Sequence, residues 1–114
     1  MYTLVNKVQL IGRLGNDPEI KDTKKGGKLA KLSLATDEGY RDAKGQKIDN
    51  TQWHRIVAWD RNAEVAEKFL KKGQQIAIEG RLVSGSYEDK DGNKRYTTDI
   101  HVNEFMMLGN KNRD

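Results

Sequence analysis

Cysteine is absent from the 114 residues, so no disulfide staples this fold and no thiolate holds a metal. Such a chain suits a reducing compartment. Proline occurs once, and no repeat or low-complexity stretch marks a boundary. One domain over residues 1–109 with a short polar end over 110–114 is expected. No apolar run is long enough to span a membrane. The N-terminus, MYTLVNKVQL, lacks the basic region, apolar run and small-residue cleavage site of a secretory signal. The expected location is cytoplasmic.

Histidine is nearly as scarce. His54 and His101 are the only two, and neither has a ligand partner at short spacing, so no zinc site is expected. The aspartates fall in polar loops (Asp37 and Asp42, Asp89 and Asp91), where turn formation explains them. Ser33, Ser84 and Ser86 lack the context of a nucleophile elbow. The stretch GRLGNDP around Gly15 is no phosphate cradle of the kind that opens a helix. Catalysis, a metal and a cofactor are therefore not expected.

Apolar residues are also few, 35% against 33% charged. A core this lean often buries some apolar surface against further copies of the chain. The balance of 21 Lys+Arg against 17 Asp+Glu leaves a net charge of +4, a modest pull toward an anionic partner. The one basic cluster in the first third of the chain is Lys21 to Lys28 (KDTKKGGK). It reads equally as a solvated loop or as a backbone-contacting one.

Alternation predicts strands over Val5–Leu14 and Leu29–Thr36, with Gly15–Lys28 as a loop between them. The segment from Asp37 to Asn50 reads as a long polar loop, of a length that is often functional. A helix is predicted from Arg61 to Lys72. Asn62 is its expected N-cap, Lys71 and Lys72 fill its last turn, Gly73 is its stop, and Phe69 and Leu70 belong to the core. A fourth strand, Gln75–Val83, turns Ile76, Ile78, Gly80 and Leu82 inward and runs on to a hairpin turn at Asp91-Gly92. A last strand starts near Lys94 and reaches Val102 or Leu108. Three strands, a helix and two strands is the order of the OB-fold, an all-β, five-stranded Greek-key barrel with its helix between strands three and four. Gly12 and Gly80 sit where small barrels bend sharply.

The most informative segment is Thr51–Trp59, TQWHRIVAW. As a strand it puts Trp53, Arg55, Val57 and Trp59 on one face, and His54, Ile56 and Ala58 on the other. Two indoles beside a guanidinium suit neither a core nor an ordinary solvated face. They do suit unstacked bases on a phosphate backbone. Arg55 is able both to stack and to pair with phosphate. Tyr40 in the long loop and Tyr87 near the fourth-strand extension are further stacking candidates. Tyr96 shares its side with Ile100, so a core role is at least as natural. His54 reads as a buried or interfacial histidine, and Met106 and Met107 as packing or terminal contacts.

Taken together, the stretches VNKVQLIGRLGNDPE, LATDEGYRD, TQWHRIVAW, AEVAEKFLKKGQQIAIEGRL and DGNKRYTTDIHVN, ending in MLG, resemble the bacterial-type single-stranded DNA-binding proteins over almost the whole chain. The resemblance implies an OB-fold homotetramer that wraps single-stranded DNA with little sequence preference and protects it during replication, recombination and repair, in the bacterial nucleoid. It implies stacking by Tyr40, Trp53, Trp59 and Tyr87, backbone contacts from Lys7, Arg55, Arg61 and Lys72, and a place for His54 near a subunit interface. Members usually continue into a flexible linker and an acidic tip that recruits other proteins. The sequence stops at Asp114, so a shortened or tail-less form is expected, without tail-dependent partners. Two other classes fit the bare pattern: an RNA-binding OB protein, and an adaptor whose aromatic face is a protein interface.

Overall fold

The computed structural model describes residues 4–108; the polar end expected over 110–114 lies outside them. Eight strands and one helix follow in order. They are β1 (Val8–Leu14), β2 (Glu19–Asp22), β3 (Lys28–Asp37), β4 (Tyr40–Arg41), β5 (Lys47–Ile48), β6 (Thr51–Trp59), α1 (Asp60–Phe69), β7 (Gln75–Glu88) and β8 (Lys94–Met107). The main sheet runs β1-β7-β8-β6-β3-β2, and β1 also pairs with β3. That extra pairing, Arg13 opposite Ala35 and Leu14 opposite Leu34, closes β1, β3, β6, β8 and β7 into a ring. The β6–β8 pairing is parallel and the other ring pairings are antiparallel. This is the five-stranded OB barrel, with α1 entering between its third and fourth strands.

The barrel interior follows strand alternation. Leu14, Ala30, Leu32, Leu34, Ile56, Ala58, Ile76, Ile78, Ile100 and Val102 form one buried cluster, joined by Ala63, Ala66 and Leu70 of the helical segment. Burying each such Leu, Ile or Val side chain contributes about 1.5–3 kcal/mol, and alanine on α1 lets the helix sit close against β3 and β6. The two in-strand glycines mark points of close approach. A Cβ on Gly12 would meet the Ala35 carbonyl, and one on Gly80 the His101 carbonyl, inside van der Waals contact. Gly80 also adjoins the register shift between β7 and β8, as a bulge at a barrel corner requires.

Several expectations need correction. Glu19–Asp22 is not loop but a strand, paired with Lys28–Lys31 and closed by a turn at Thr23–Gly27. With Ile20 its only apolar residue, EIKD carries little strand signal. The long loop of residues 37–50 contains its own two-residue ladder, Tyr40–Arg41 against Lys47–Ile48. The helix is shorter than predicted and begins earlier. Its N-cap is Trp59 with no side-chain cap bond, and Asn62 instead donates to the Asn103 carbonyl at 3.3 Å. The helix stops at Phe69, Lys68 is the basic residue of its last turn, and Gly73 serves the turn beyond (φ 88°). Phe69 is 55% exposed; Leu70 alone takes the core position. Leu82 is exposed because β7 has by then left the barrel for the hairpin extension, and Tyr96, on that extension, is 75% exposed rather than core. Met106 and Met107 are exposed as well.

Candidate nucleic-acid interface

The outward face of β6 carries the site. Trp53 is 61% and Trp59 41% exposed, with Arg55 exposed between them and Ile56 and Ala58 buried behind. Alternation therefore works as the sequence predicts, except that Val57 on the same outward face is buried. Each indole has its own support. The six-membered ring of Trp53 lies directly over Gly15, where a Cβ would sit 2.9 Å from Cη2 and nearer still to Cζ3. Gly15 is held there by its N–H bond to the Ser33 carbonyl (2.9 Å), while the neighbouring Asn16 carboxamide accepts from the Ser33 N–H (3.0 Å). The Trp59 indole N–H donates to His101 Nδ1 at 3.2 Å, with the two rings tilted at 48°.

That bond fixes the protonation of His101. An indole N–H only donates, so Nδ1 must be the bare nitrogen of a neutral ring. Burial pushes the His101 pKa down, the Arg81 charge lowers it further, and Asp99 opposes both.

Strand register extends the face. Lys31 is opposite Val57, Val57 opposite His101, and His101 opposite Arg81, which makes a row across four strands with cationic ends. The next row brings Ser33, Arg55 and Asp99 together: Arg55 Nε lies 3.1 Å from Asp99 Oδ1. Asp99 is the more enclosed partner, and that oxygen has no hydrogen-bond partner of good geometry. A shallow depression between Asn16, Lys31, Ser33 and Arg55 runs along this row. Lys31, Arg81, His101 and Asp99 are not among the site residues that the sequence points to. A signal for Lys31 is present in the outward parity of Lys31 and Ser33; the cross-sheet partners need the register.

Beyond the barrel, β7 and β8 continue as a hairpin in which Tyr87 is opposite Arg95. By period-two alternation Tyr87 and Arg95 share the face of Arg81, Asp99 and Arg55, whereas Tyr96 lies on the other face with Lys94 near its ring. The hairpin turn is locked by the Asp89 carboxylate. It accepts the N–H of Asn93 and of Asp91 and the Arg95 Nε–H (2.9 Å), bonds that hold its pKa below the usual carboxylate value. Tyr40 is exposed on the separate β4–β5 ladder.

The structure thus unites Trp53, Arg55, Trp59 and Tyr87 on one face. The other expected cations lie elsewhere. Lys7 is 3.9 Å from Glu79. Arg61 is exposed in the first turn of α1, next but one to Trp59. Lys72 is exposed in the turn after the helix, its backbone N–H bonded to Asp17 (2.9 Å). His54 faces inward and is half-buried, with its Nε2 3.0 Å from the Thr36 hydroxyl. Since that hydroxyl gives its one proton to Glu38 (2.9 Å), His54 is the donor to it. Among the described residues no group of three or more His, Cys, Asp or Glu is placed to hold a metal ion, and no helix is long and apolar enough to cross a membrane.

A closed OB barrel with an exposed aromatic and cationic sheet face and two projecting hairpins is a scaffold for binding an oligomeric strand rather than an enzyme's cleft. The comparisons with known proteins agree. The model of the single-strand binding protein family matches residues 5–108, and the chain belongs to that family. It is 48% identical over 108 residues to single-stranded DNA-binding protein 1 of Chlorobaculum tepidum, covering 94% of this chain and 67% of that protein. The protein of the same description from Xylella fastidiosa is 47% identical, with 94% and 79% covered. Against the single-stranded DNA-binding protein of Neisseria meningitidis (serogroup A), identity is 44% over 96% of this chain and 63% of that one. Among solved structures, the Plasmodium falciparum SSB complex with ssDNA superposes with a TM-score of 0.81 at 34% identity, covering 91% and 95% of the two chains.

Proposed function

We propose that this protein binds single-stranded DNA without regard to sequence, shielding it during replication, recombination and repair. Trp53, Trp59, Tyr87 and Tyr40 stack bases, and Arg55, Arg61, Lys7 and Lys72 meet the phosphates, with Lys31 and Arg81 added from the same face. The observation that carries this reading is the pair of exposed indoles flanking Arg55 on β6. Each stacked base contributes about 1–3 kcal/mol and is tolerated whatever its identity. Duplex DNA is a poor ligand because its bases are already stacked and paired inside. Family membership makes this a binding activity and not catalysis.

Assembly as a homotetramer, with His54 near a subunit interface, belongs to the same proposal. Its support is an outward apolar row across three strands: Ile11 is opposite Ala77 and Ala77 opposite Met106, with Ile11 and Met106 exposed. Such a row is suited to burial against another copy. A cytoplasmic, nucleoid-associated location follows from the ligand. The test combines alanine variants with salt titrations of oligo(dT). Trp53→Ala and Trp59→Ala should weaken binding at an unchanged log–log salt slope. Arg55→Ala should flatten the slope by about 0.7 for each phosphate that the guanidinium neutralises. An equal or stronger preference for RNA of the same sequence would redirect the assignment to an RNA-binding OB protein.

A further inference from the structure

Trp53 and Trp59 are held by different devices. Trp53 has backbone beneath it: its ring lies on Gly15, where a Cβ would meet Cη2 at 2.9 Å. Trp59 is held by a side chain instead. It ends β6, and its indole N–H reaches His101 Nδ1 across the sheet at 3.2 Å. The parallel pairing of β6 with β8 brings the two together. Val57 is opposite His101, so Trp59 lies two residues further along the same outward face. The ring centroids stand 5.8 Å apart, with the planes at 48°.

The torsion that turns an aromatic ring about its Cβ–Cγ bond is broad and soft. An exposed indole therefore samples many orientations unless something holds it, and a base that stacks on it must first order it. Among the described residues, the bond to His101 is the one hydrogen bond that the Trp59 side chain makes. It ties down the edge of the ring and leaves 41% of the residue exposed.

We propose that His101 is a positioning residue for strand binding, its Nδ1 holding the Trp59 indole in the pose that takes a base. The inference rests on the strand-binding reading above and deepens it. It makes no demand on base identity, because the bond orients the ring and touches no base. The hold works only with a neutral imidazole, since a protonated one has no acceptor. The charges around His101 come from four elements. Arg81 is opposite it on β7, and Asp99, two residues before it on β8, is engaged by Arg55 of β6. Lys31 of β3 ends its row, and Asp60 and Arg61 follow Trp59 into α1. Glu79, two residues before Arg81, lies 3.9 Å from Lys7. Burial and then Arg81 depress the His101 pKa, and Asp99 opposes them. The indole is therefore held at neutral pH and released as pH falls through a folded value below 6.5.

The test combines two substitutions with a pH titration of the unmutated protein. His101→Val removes the acceptor and keeps a strand-forming side chain. His101→Asn returns an acceptor oxygen near the place of Nδ1 and does not titrate. With labelled oligo(dT) at neutral pH, His101→Val should bind about two- to tenfold more weakly, as the loss of one hydrogen bond dictates. Its log–log salt slope should not change, because a neutral ring releases no counterion. His101→Asn should recover most of the loss. In the unmutated protein without DNA, one of the two indole N–H signals in an NMR spectrum should move as pH falls below 6.5. That signal should be missing in Trp59→Phe and indifferent to pH in His101→Asn. A role in stability alone would shift urea midpoints and leave both the affinity of the folded protein and this signal where they were. Parental affinity in His101→Val, an equal loss in His101→Asn, or indole signals that ignore pH in the unmutated protein overturns the positioning role and leaves strand binding in place. Failure of the unmutated protein to bind oligo(dT) overturns the strand-binding reading, and the positioning role with it.

Discussion

Replacing Gly15 by alanine separates the presentation of Trp53 from the stability of the barrel. The added Cβ would stand 2.9 Å from Trp53 Cη2 and closer to Cζ3, where ordinary packing needs 3.4 Å or more, so the indole tip must retreat by about 1 Å. Gly15 has no positive φ, and alanine there also narrows the unfolded ensemble, a gain of about 0.4–1 kcal/mol. Against this stands an off-rotamer displacement of a half-exposed indole, about 0.5–1.5 kcal/mol. Net stability should move by less than about 1 kcal/mol. Binding should suffer more, because a displaced ring forfeits part of the 1–3 kcal/mol that stacking supplies; affinity for oligo(dT) should fall roughly three- to tenfold. Urea melts and oligo(dT) titrations on the same samples check both halves. Gly12→Ala is the counterpart. Its Cβ meets the backbone at Ala35, which cannot swing aside, and stability should drop by about 2 kcal/mol or more. A Gly15→Ala protein that binds like the parent, or that unfolds as readily as Gly12→Ala, refutes the idea that Gly15 sets the pose of Trp53.

Other expected outcomes concern charge, pH and strain. Asp99→Asn removes the partner that partly neutralises Arg55; affinity for oligo(dT) at low salt should rise a few-fold, and no rise would mean that Arg55 is already free to meet phosphate. Because His101 has a depressed pKa in the fold, its contribution to stability is complete above pH 6.5, the ordinary value, and is lost as pH falls through the folded value. Urea midpoints should decline on acidification below that point, with a change in Trp59 emission as protonation of Nδ1 breaks the indole bond; in His101→Gln both trends should shrink. Asp60→Gly relieves the left-handed backbone and should raise stability by about 1 kcal/mol, read as a higher melting temperature.

The binding strand is legible in the sequence because two periodicities coincide there. Buried Ile56 and Ala58 alternate with exposed Trp53 and Trp59, so the unusual face declares itself without any tertiary knowledge. The barrel order is legible for the same reason, since each inner strand alternates. What stays hidden depends on where elements stop. Phe69 fits the helical period, but the helix ends there, and only Leu70, already extended, reaches the core. Leu82 and Tyr96 fit the inward parity, yet their strands have outrun the barrel, so the inner face is exposed at those points. The Arg55–Asp99 and Trp59–His101 pairs join residues more than forty positions apart through the parallel β6–β8 register, which no local pattern encodes. Asp60 in a left-handed conformation is equally silent in sequence, because nothing in Trp59-Asp60-Arg61 requires it.

The central claim is that Trp53 and Trp59 receive unpaired bases. Intrinsic tryptophan fluorescence during titration with oligo(dT), repeated with duplex DNA at low and high salt, tests it most directly. Strong quenching by oligo(dT), persisting at moderate salt and absent with duplex, is the predicted result. No quenching, or equal weak quenching by both, would contradict the account and return the aromatic face to a protein interface.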